Sequence, residues 1–144
     1  MSDIDGVLAD VREEFHFLPD WDEYFKHLQE NKPIIPMLDL LQDMFLKNND
    51  IILNTGRPES VREETVVWLS NMFRKVPWWG PKLLMRKTGD HRPTWELKVK
   101  WCKEQMPDLI IEDEPRCVKA LTNAGFIVLQ VHGFRFTEED GVPK

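Results

Sequence analysis

The sequence predicts an α/β domain in which a parallel sheet is covered by helices. Three observations carry that prediction. Short apolar runs end in turn or acidic residues, helical periodicity fills the gaps between them, and the two kinds of segment alternate. At 144 residues the chain is long enough for one domain with a buried core and no covalent staples.

Each element has its own signal. Asp3 to Asp10 opens the chain with an extended pair of carboxylates interrupted by Gly6. Asp10 to Asn31 is acidic and aromatic, with Phe15, Phe17, Trp21, Tyr24 and Phe25, and reads as a small helical insert over residues 10–33. Pro36 is a good first-turn residue for a helix whose Met37, Leu40, Leu41, Met44 and Phe45 recur at helical spacing. Ile51-Ile52-Leu53 is a buried strand running into a turn at Asn54-Thr55-Gly56. After Pro58, Val61, Thr65, Trp68, Leu69 and Met72 mark a second helix, and Leu83-Leu84-Met85 a further strand. Trp95, Val99, Cys102 and Met106 form the stripe of a third helix. Leu109-Ile110-Ile111 is the next strand, and Val118, Leu121 and Ala124 a short helix ended by Asn123-Ala124-Gly125. Phe126 to Val131 is the last strand. With no repeat, low-complexity tract or linker, the chain reads as a single domain.

Composition narrows the function classes. The net charge of -6 disfavours a long nucleic-acid track but permits a local basic patch, and Lys82, Arg86, Lys87, Arg92, Lys98, Lys100 and Lys103 fall in one short region. Two cysteines without a CxxC pairing, and no signal-peptide pattern after Met1, point to a reducing, cytoplasmic setting. No apolar run approaches the roughly 18 residues of a membrane span. His16, His27, His91 and His132 lack metal-ligand spacing. Trp78-Trp79, between Pro77 and Gly80-Pro81, could stack on a base, though loop packing is the simpler reading.

In open α/β sheets functional groups gather at the carboxyl ends of the strands, and four groups of polar residues sit there. Asp3-Ile4-Asp5-Gly6 lets a side chain and a backbone carbonyl converge on a hard cation. It also leaves one carboxylate to attack phosphorus and a second to exchange a proton with the leaving oxygen. Taken alone, the pair reads more simply as an acidic turn. Thr55-Gly56-Arg57 can cradle a phosphate or merely start a helix. Lys98 lies on the flank of its helical stripe, where an ammonium can reach the sheet edge or snorkel to solvent. Glu112-Asp113-Glu114 crowds three acids that call for a cation, or for a helix N-terminus after Pro115.

The order of these groups is more informative than any one of them. Asp-x-Asp, then Thr at a strand end, then Lys on a helix, then an acidic pair at a strand end is the motif order of the haloacid dehalogenase-like phosphatases, which this sequence resembles over nearly its whole length. Receiver domains use similar residues in another order. Ile35-Pro36-Met37, Asn54-Thr55-Gly56-Arg57, and Met85-Arg86-Lys87-Thr88-Gly89-Asp90-His91-Arg92 followed by Lys98 are similar to the phosphatase half of phage polynucleotide kinase/phosphatases.

The resemblance implies a Rossmannoid three-layer sandwich, helices on both faces of a parallel sheet, and a small helical cap insert. It implies a Mg²⁺-dependent phosphomonoesterase with Asp3 as nucleophile and Asp5 as general acid/base, also giving its carbonyl to the metal. Thr55 and Lys98 would contact and neutralise the phosphoryl group. Gly56, Arg57, Arg86 and Arg92 would face the substrate, while Asp113 and Glu112 complete the metal set with Asp3 and Asp5. The implied substrate is a nucleic-acid 3′ end of DNA or RNA, as in end repair. A free mononucleotide and a non-catalytic binding module are the alternatives. No G-x-x-x-x-G-K-[ST] occurs, so any kinase or ligase would be a separate partner, and a phage origin would put the protein in the host cytoplasm. Only Met1 and Ser2 precede Asp3, which predicts a clipped first strand with the free amine close to the site.

Overall fold

A computed structural model describes residues 1–18, 20–73 and 80–132, the Phe15 side chain excepted. Five parallel strands form the central sheet: β1 (Ser2–Asp3), β4 (Ile52–Pro58), β5 (Lys82–Arg86), β6 (Ile110–Glu112) and β7 (Val128–Gln130), in the order β5-β4-β1-β6-β7. The two-residue strands β2 (Ala9–Asp10) and β3 (Lys32–Pro33) pair antiparallel. Between them lie two 3₁₀ turns, Arg12–Phe17 and Leu28–Glu30, and helix α1 (Trp21–Lys26). The remaining helices are α2 (Ile35–Leu46), α3 (Arg62–Met72), α4 (Thr94–Gln105) and α5 (Pro115–Asn123).

Helices cover both faces, and the reason is visible in β6. Successive strand residues point to opposite sides. Ile111 packs into a core cluster with Leu38 and Leu41 of α2 and Trp68 and Leu69 of α3, whereas Ile110 packs with Cys102 of α4 and Leu121 of α5. The expected three-layer α/β architecture is the one observed.

β1 is only two residues long, yet it is central. Ser2 and Asp3 pair with Leu53 and Asn54 of β4 on one side, and Ser2 with Ile111 of β6 on the other. The terminal amine does not lie at the carboxyl edge of the sheet, contrary to what its closeness to Asp3 predicts. It donates to the Leu109 carbonyl at 2.8 Å, at the amino end of the neighbouring strand.

Four other elements depart from the sequence reading. β4 does not stop at Asn54 but continues through Gly56 to Pro58, with a shift in its pairing to β5 between Thr55 and Pro58. Gly56 marks a close approach, not a turn, because Thr94 Oγ1 and Cγ2 would lie 3.3 Å from a Cβ there. β7 begins later than Phe126, whose amide still donates to Leu121 at the end of α5 (3.2 Å). The buried face of α4 is Leu97, Lys98 and Cys102; Trp95 is 39% and Met106 70% exposed. Leu40 of α2 likewise points outward, and Leu38 takes its place in the core. Trp78-Trp79 lies outside the described residues.

Candidate active site

β1 is the point where the chain order of the sheet reverses, with β4 and β5 to one side and β6 and β7 to the other. A crevice opens at the carboxyl edge of such a switch point. Asp3 ends β1, Glu112 ends β6, and Thr55 follows the residue of β4 paired with Asp3. Lys98 reaches the same edge from the first half of α4.

These residues meet. Lys98 Nζ lies 2.8 Å from Asp3 Oδ2 and 2.6 Å from Glu112 Oε2, and all three side chains are buried. The carboxylates of Asp3, Glu112 and Asp113 each offer an oxygen within 4.8 Å of the others. Glu112 Oε1 also accepts from the amides of Asp113 and Glu114, both at 3.2 Å, which holds the turn after β6. Fully ionised, the three buried carboxylates would outnumber the one ammonium by two charges. Burial, then the Glu112 charge, pushes the Asp3 carboxyl well above its ordinary range, with Lys98 pulling the other way. Burial disfavours the Lys98 ammonium, yet Asp3 and Glu112 outweigh it and hold the group charged.

Two observations show that a divalent cation fits this set. Asp3 Oδ1 is buried with no hydrogen-bond partner, an expensive state for a carboxylate oxygen unless a cation faces it. Gly6, at φ +78°, leaves the space that Asp113 fills: a Cβ there would stand 2.0 Å from Asp113 Oδ2. The sequence marked Gly6 only as a strand breaker. A glycine three residues after a candidate nucleophile was the available signal of a close approach. Oxygen donors at this spacing suit a hard ion such as Mg²⁺.

Asp5 belongs to a second cluster. Its carboxylate accepts from Thr55 Oγ1 (2.9 Å) and from Arg57 Nε (3.1 Å to each oxygen) and Nη2 (2.6 Å). Arg57 is only 2% exposed; its Nη1 donates to Thr65 of α3 at 3.4 Å, and its amide to Thr55 Oγ1 at 3.1 Å. The Asn31 amide, with its oxygen toward Arg57, accepts from Nη2 at 3.2 Å and donates to Glu14 at 3.0 Å. The guanidinium is therefore occupied by Asp5 and buried neighbours. Expected to face the substrate, Arg57 is buried and grips the Asp5 carboxylate. Thr65 and Asn31 were not singled out from the sequence; a threonine inside an apolar helical stripe is the one hint of Thr65.

Arg86 is similarly engaged. Nε donates to the Gly56 carbonyl (3.0 Å), Nη1 to the carbonyls of Asp90 (2.9 Å) and Arg92 (2.6 Å), and Nη2 to Thr94 Oγ1 (2.8 Å). It ties β4, the 87–93 loop and the start of α4 together beside Thr55. Arg92 Nη2 pairs with Asp90 at 2.5 Å and its Nε donates to both Asp90 oxygens, while its side chain stays 49% exposed.

The arrangement suits phosphoryl transfer. A buried carboxylate beside a lysine, three acids whose oxygens lie within 4.8 Å of one another and a second carboxylate held by Thr55 and Arg57 share one sheet edge. The match with known families agrees. The chain matches the phosphatase domain of polynucleotide kinase PNKP over residues 1–136. No curated protein matches it. Geometry and family match lead to one conclusion: the chain belongs to the polynucleotide kinase PNKP phosphatase-domain family of haloacid dehalogenase-like phosphatases.

Proposed function

We propose that this phosphatase removes a terminal 3′-phosphate from nucleic-acid ends, with Asp3 as nucleophile and Mg²⁺ as cofactor. The observation that carries the reading is the convergence of Asp3, Glu112 and Asp113 around a buried, unpartnered Asp3 oxygen. Asp3, Asp113 and the Asp5 carbonyl would hold the metal, with Glu112 close enough to complete the set. Bound there, Mg²⁺ supplies charge neutralisation and in-line orientation of the phosphoryl group.

Asp3 attacks phosphorus, the ester P–O bond breaks, and the leaving oxygen takes its proton from Asp5. Asp5 then accepts a proton from the water that attacks the aspartyl-phosphate, releasing inorganic phosphate and regenerating Asp3. Arg57 and Thr55 keep the Asp5 carboxylate pointed at the leaving group, and Lys98 offsets charge on Asp3 and the phosphoryl oxygens. Residues 10–33 act as the cap. Tyr24 of α1 is buried, and Asn31 of this segment accepts from Arg57 Nη2 at 3.2 Å with its amide oxygen turned toward it, so the segment packs beside the site.

One observation favours a second reading. A net charge of -6 suits a free mononucleotide better than a polyanion. Phosphate release from a 3′-phosphorylated oligonucleotide, its 5′-phosphorylated counterpart and free mononucleotides decides between them. The 3′ end is expected to be preferred, and a preference for mononucleotides overturns that choice. Asp3→Asn is expected to abolish turnover with the fold intact; unchanged turnover rejects the nucleophile assignment.

A further inference from the structure

We propose that Asn31 and Glu14 are positioning residues for the phosphatase reaction. Borne on the two arms of the 10–33 insert, they clamp Arg57 and, through it, the carboxylate of Asp5. The proposal rests on the reading of Asp5 as proton donor above and makes the insert part of that acid's mounting.

Arg57 meets Asp5 side-on. Its Nε lies 3.1 Å from each carboxylate oxygen and its Nη2 2.6 Å from Oδ1. The direction of the Asp5 carboxylate therefore follows the plane of the guanidinium. Two contacts on the far side set that plane. Nη1 donates to Thr65 Oγ1 across a long 3.4 Å, and Nη2 gives its second hydrogen to the Asn31 amide oxygen at 3.2 Å.

Asn31 is itself held at both ends. Its backbone carbonyl accepts from Nε1 of the fully buried Trp68 at 2.9 Å. Its side-chain nitrogen donates to Glu14 Oε1 at 3.0 Å and Oε2 at 3.3 Å. A carboxylate only accepts and a guanidinium only donates, so an amide between them has one orientation that serves both. Glu14 thus dictates that Arg57 meets an oxygen.

The clamp joins the insert to the sheet edge. Glu14, Asn31 and Arg57 are all buried. A buried carboxylate is costly unless its hydrogen bonds are made, and Asn31 supplies them to Glu14. Glu14 stands in the 3₁₀ turn after β2, and Asn31 directly precedes β3. β2 and β3 pair with each other, and Asp5 bridges to Ala9 at the head of β2. A shift of the insert therefore moves both the backbone beside Asp5 and the amide that holds Arg57.

The test reads leaving-group dependence, which a merely structural role would not change. kcat/KM is measured for phenyl phosphate and a 3′-phosphorylated oligonucleotide, whose leaving oxygens need a proton, and for dinitrophenyl phosphate, whose leaving oxygen does not. General acid catalysis is worth roughly 10²–10⁴ in rate, and Asp5→Asn is expected to lose that factor on the first two substrates and little on the third. Asn31→Ala is expected to show the same selectivity with a loss of about tenfold. Glu14→Met combined with Asn31→Leu replaces the buried polar pair by apolar side chains of similar size, which protects the fold, and should show that selective loss as well. Loss of folded protein lowers all three rates alike and cancels in their ratios. Equal losses on all substrates, or none on phenyl phosphate, overturn the positioning role. If Asp5→Asn itself loses equally on all three, Asp5 is not the proton donor and the clamp assignment falls with it. If wild type cleaves the aryl esters but not the oligonucleotide, the nucleic-acid reading has failed, and the ratio of phenyl to dinitrophenyl phosphate still decides the clamp. If wild type cleaves none of them, the phosphatase reading has failed and takes the clamp with it.

Discussion

Replacing Gly6 with alanine separates two costs that the structure assigns to different atoms. At φ +78° an L side chain costs about 1 kcal/mol in backbone strain. A Cβ would also stand 2.0 Å from Asp113 Oδ2 and 2.4 Å from its Cγ, so the carboxylate must withdraw. Restoring ordinary contact takes a displacement of about 1 Å or more, and a misplacement of that size costs on the order of 100-fold in rate. Gly125 supplies the control, with φ +90° and nothing within 4 Å of the place a Cβ would take. Both Gly6→Ala and Gly125→Ala are expected to lose about 1 kcal/mol in urea unfolding. Only Gly6→Ala should lose about 100-fold in kcat/KM and require more Mg²⁺ for half-maximal phosphate release. A Gly6→Ala enzyme with wild-type rate and Mg²⁺ requirement would refute the placement of Asp113 against the metal.

Three further outcomes are expected. Burial and the Glu112 charge hold the Asp3 carboxyl above its ordinary range in the folded state, so between the two values the folded chain binds its proton more tightly than the unfolded chain does. Its contribution to stability is fullest below the ordinary aspartate value of about 4 and is lost as pH rises through the raised one. In EDTA the melting temperature should therefore fall from pH 5 toward pH 8, and Mg²⁺ should shrink that fall; a flat profile in EDTA contradicts the charge crowding. Arg86→Met removes hydrogen bonds to Gly56, Asp90, Arg92 and Thr94, for a loss of about 2 kcal/mol, and should raise amide exchange in residues 87–93. Unchanged exchange would mean these bonds do not hold the loop. Burial pushes the Cys102 thiol up to about 11 and Cys117 higher still. Neither should react with a thiol reagent at pH 8 until the protein is denatured, and rapid labelling of the native form would contradict their burial.

The positions of the elements were legible because each strand announces itself by an apolar run and each long helix by its spacing. The order of Asp3, Thr55, Lys98 and Asp113 was legible for a related reason: residues at strand ends share an edge whenever the strands are parallel. What could not be read is which partners the register selects. The bond from Arg57 to Asp5 spans 52 residues and depends on β1 lying beside β4. Nothing local distinguishes an arginine that meets substrate from one that grips a carboxylate. Arg86 shows the same limit, since its acceptors are mostly backbone carbonyls, which every residue carries. Lys98 misled in the opposite sense. Its helical stripe was drawn through the apolar residues, but the inward face runs through Leu97, Lys98 and Cys102, because Asp3 and Glu112 give a lysine reason to be buried.

The shortness of β1 has a kinetic consequence. A strand of two residues sits between β4 and β6, and it bonds to chain more than a hundred positions away, as Met1 does to Leu109. Closing such long loops is entropically unfavourable until both neighbours are in place to receive the strand. Chains with both helical layers packed but the middle of the sheet still vacant would show nearly full helical content with Asp3 not yet at the sheet edge. Recovery of turnover after dilution from denaturant should then lag the return of helical ellipticity, which makes enzymatic activity a clock for the final zipping of the sheet.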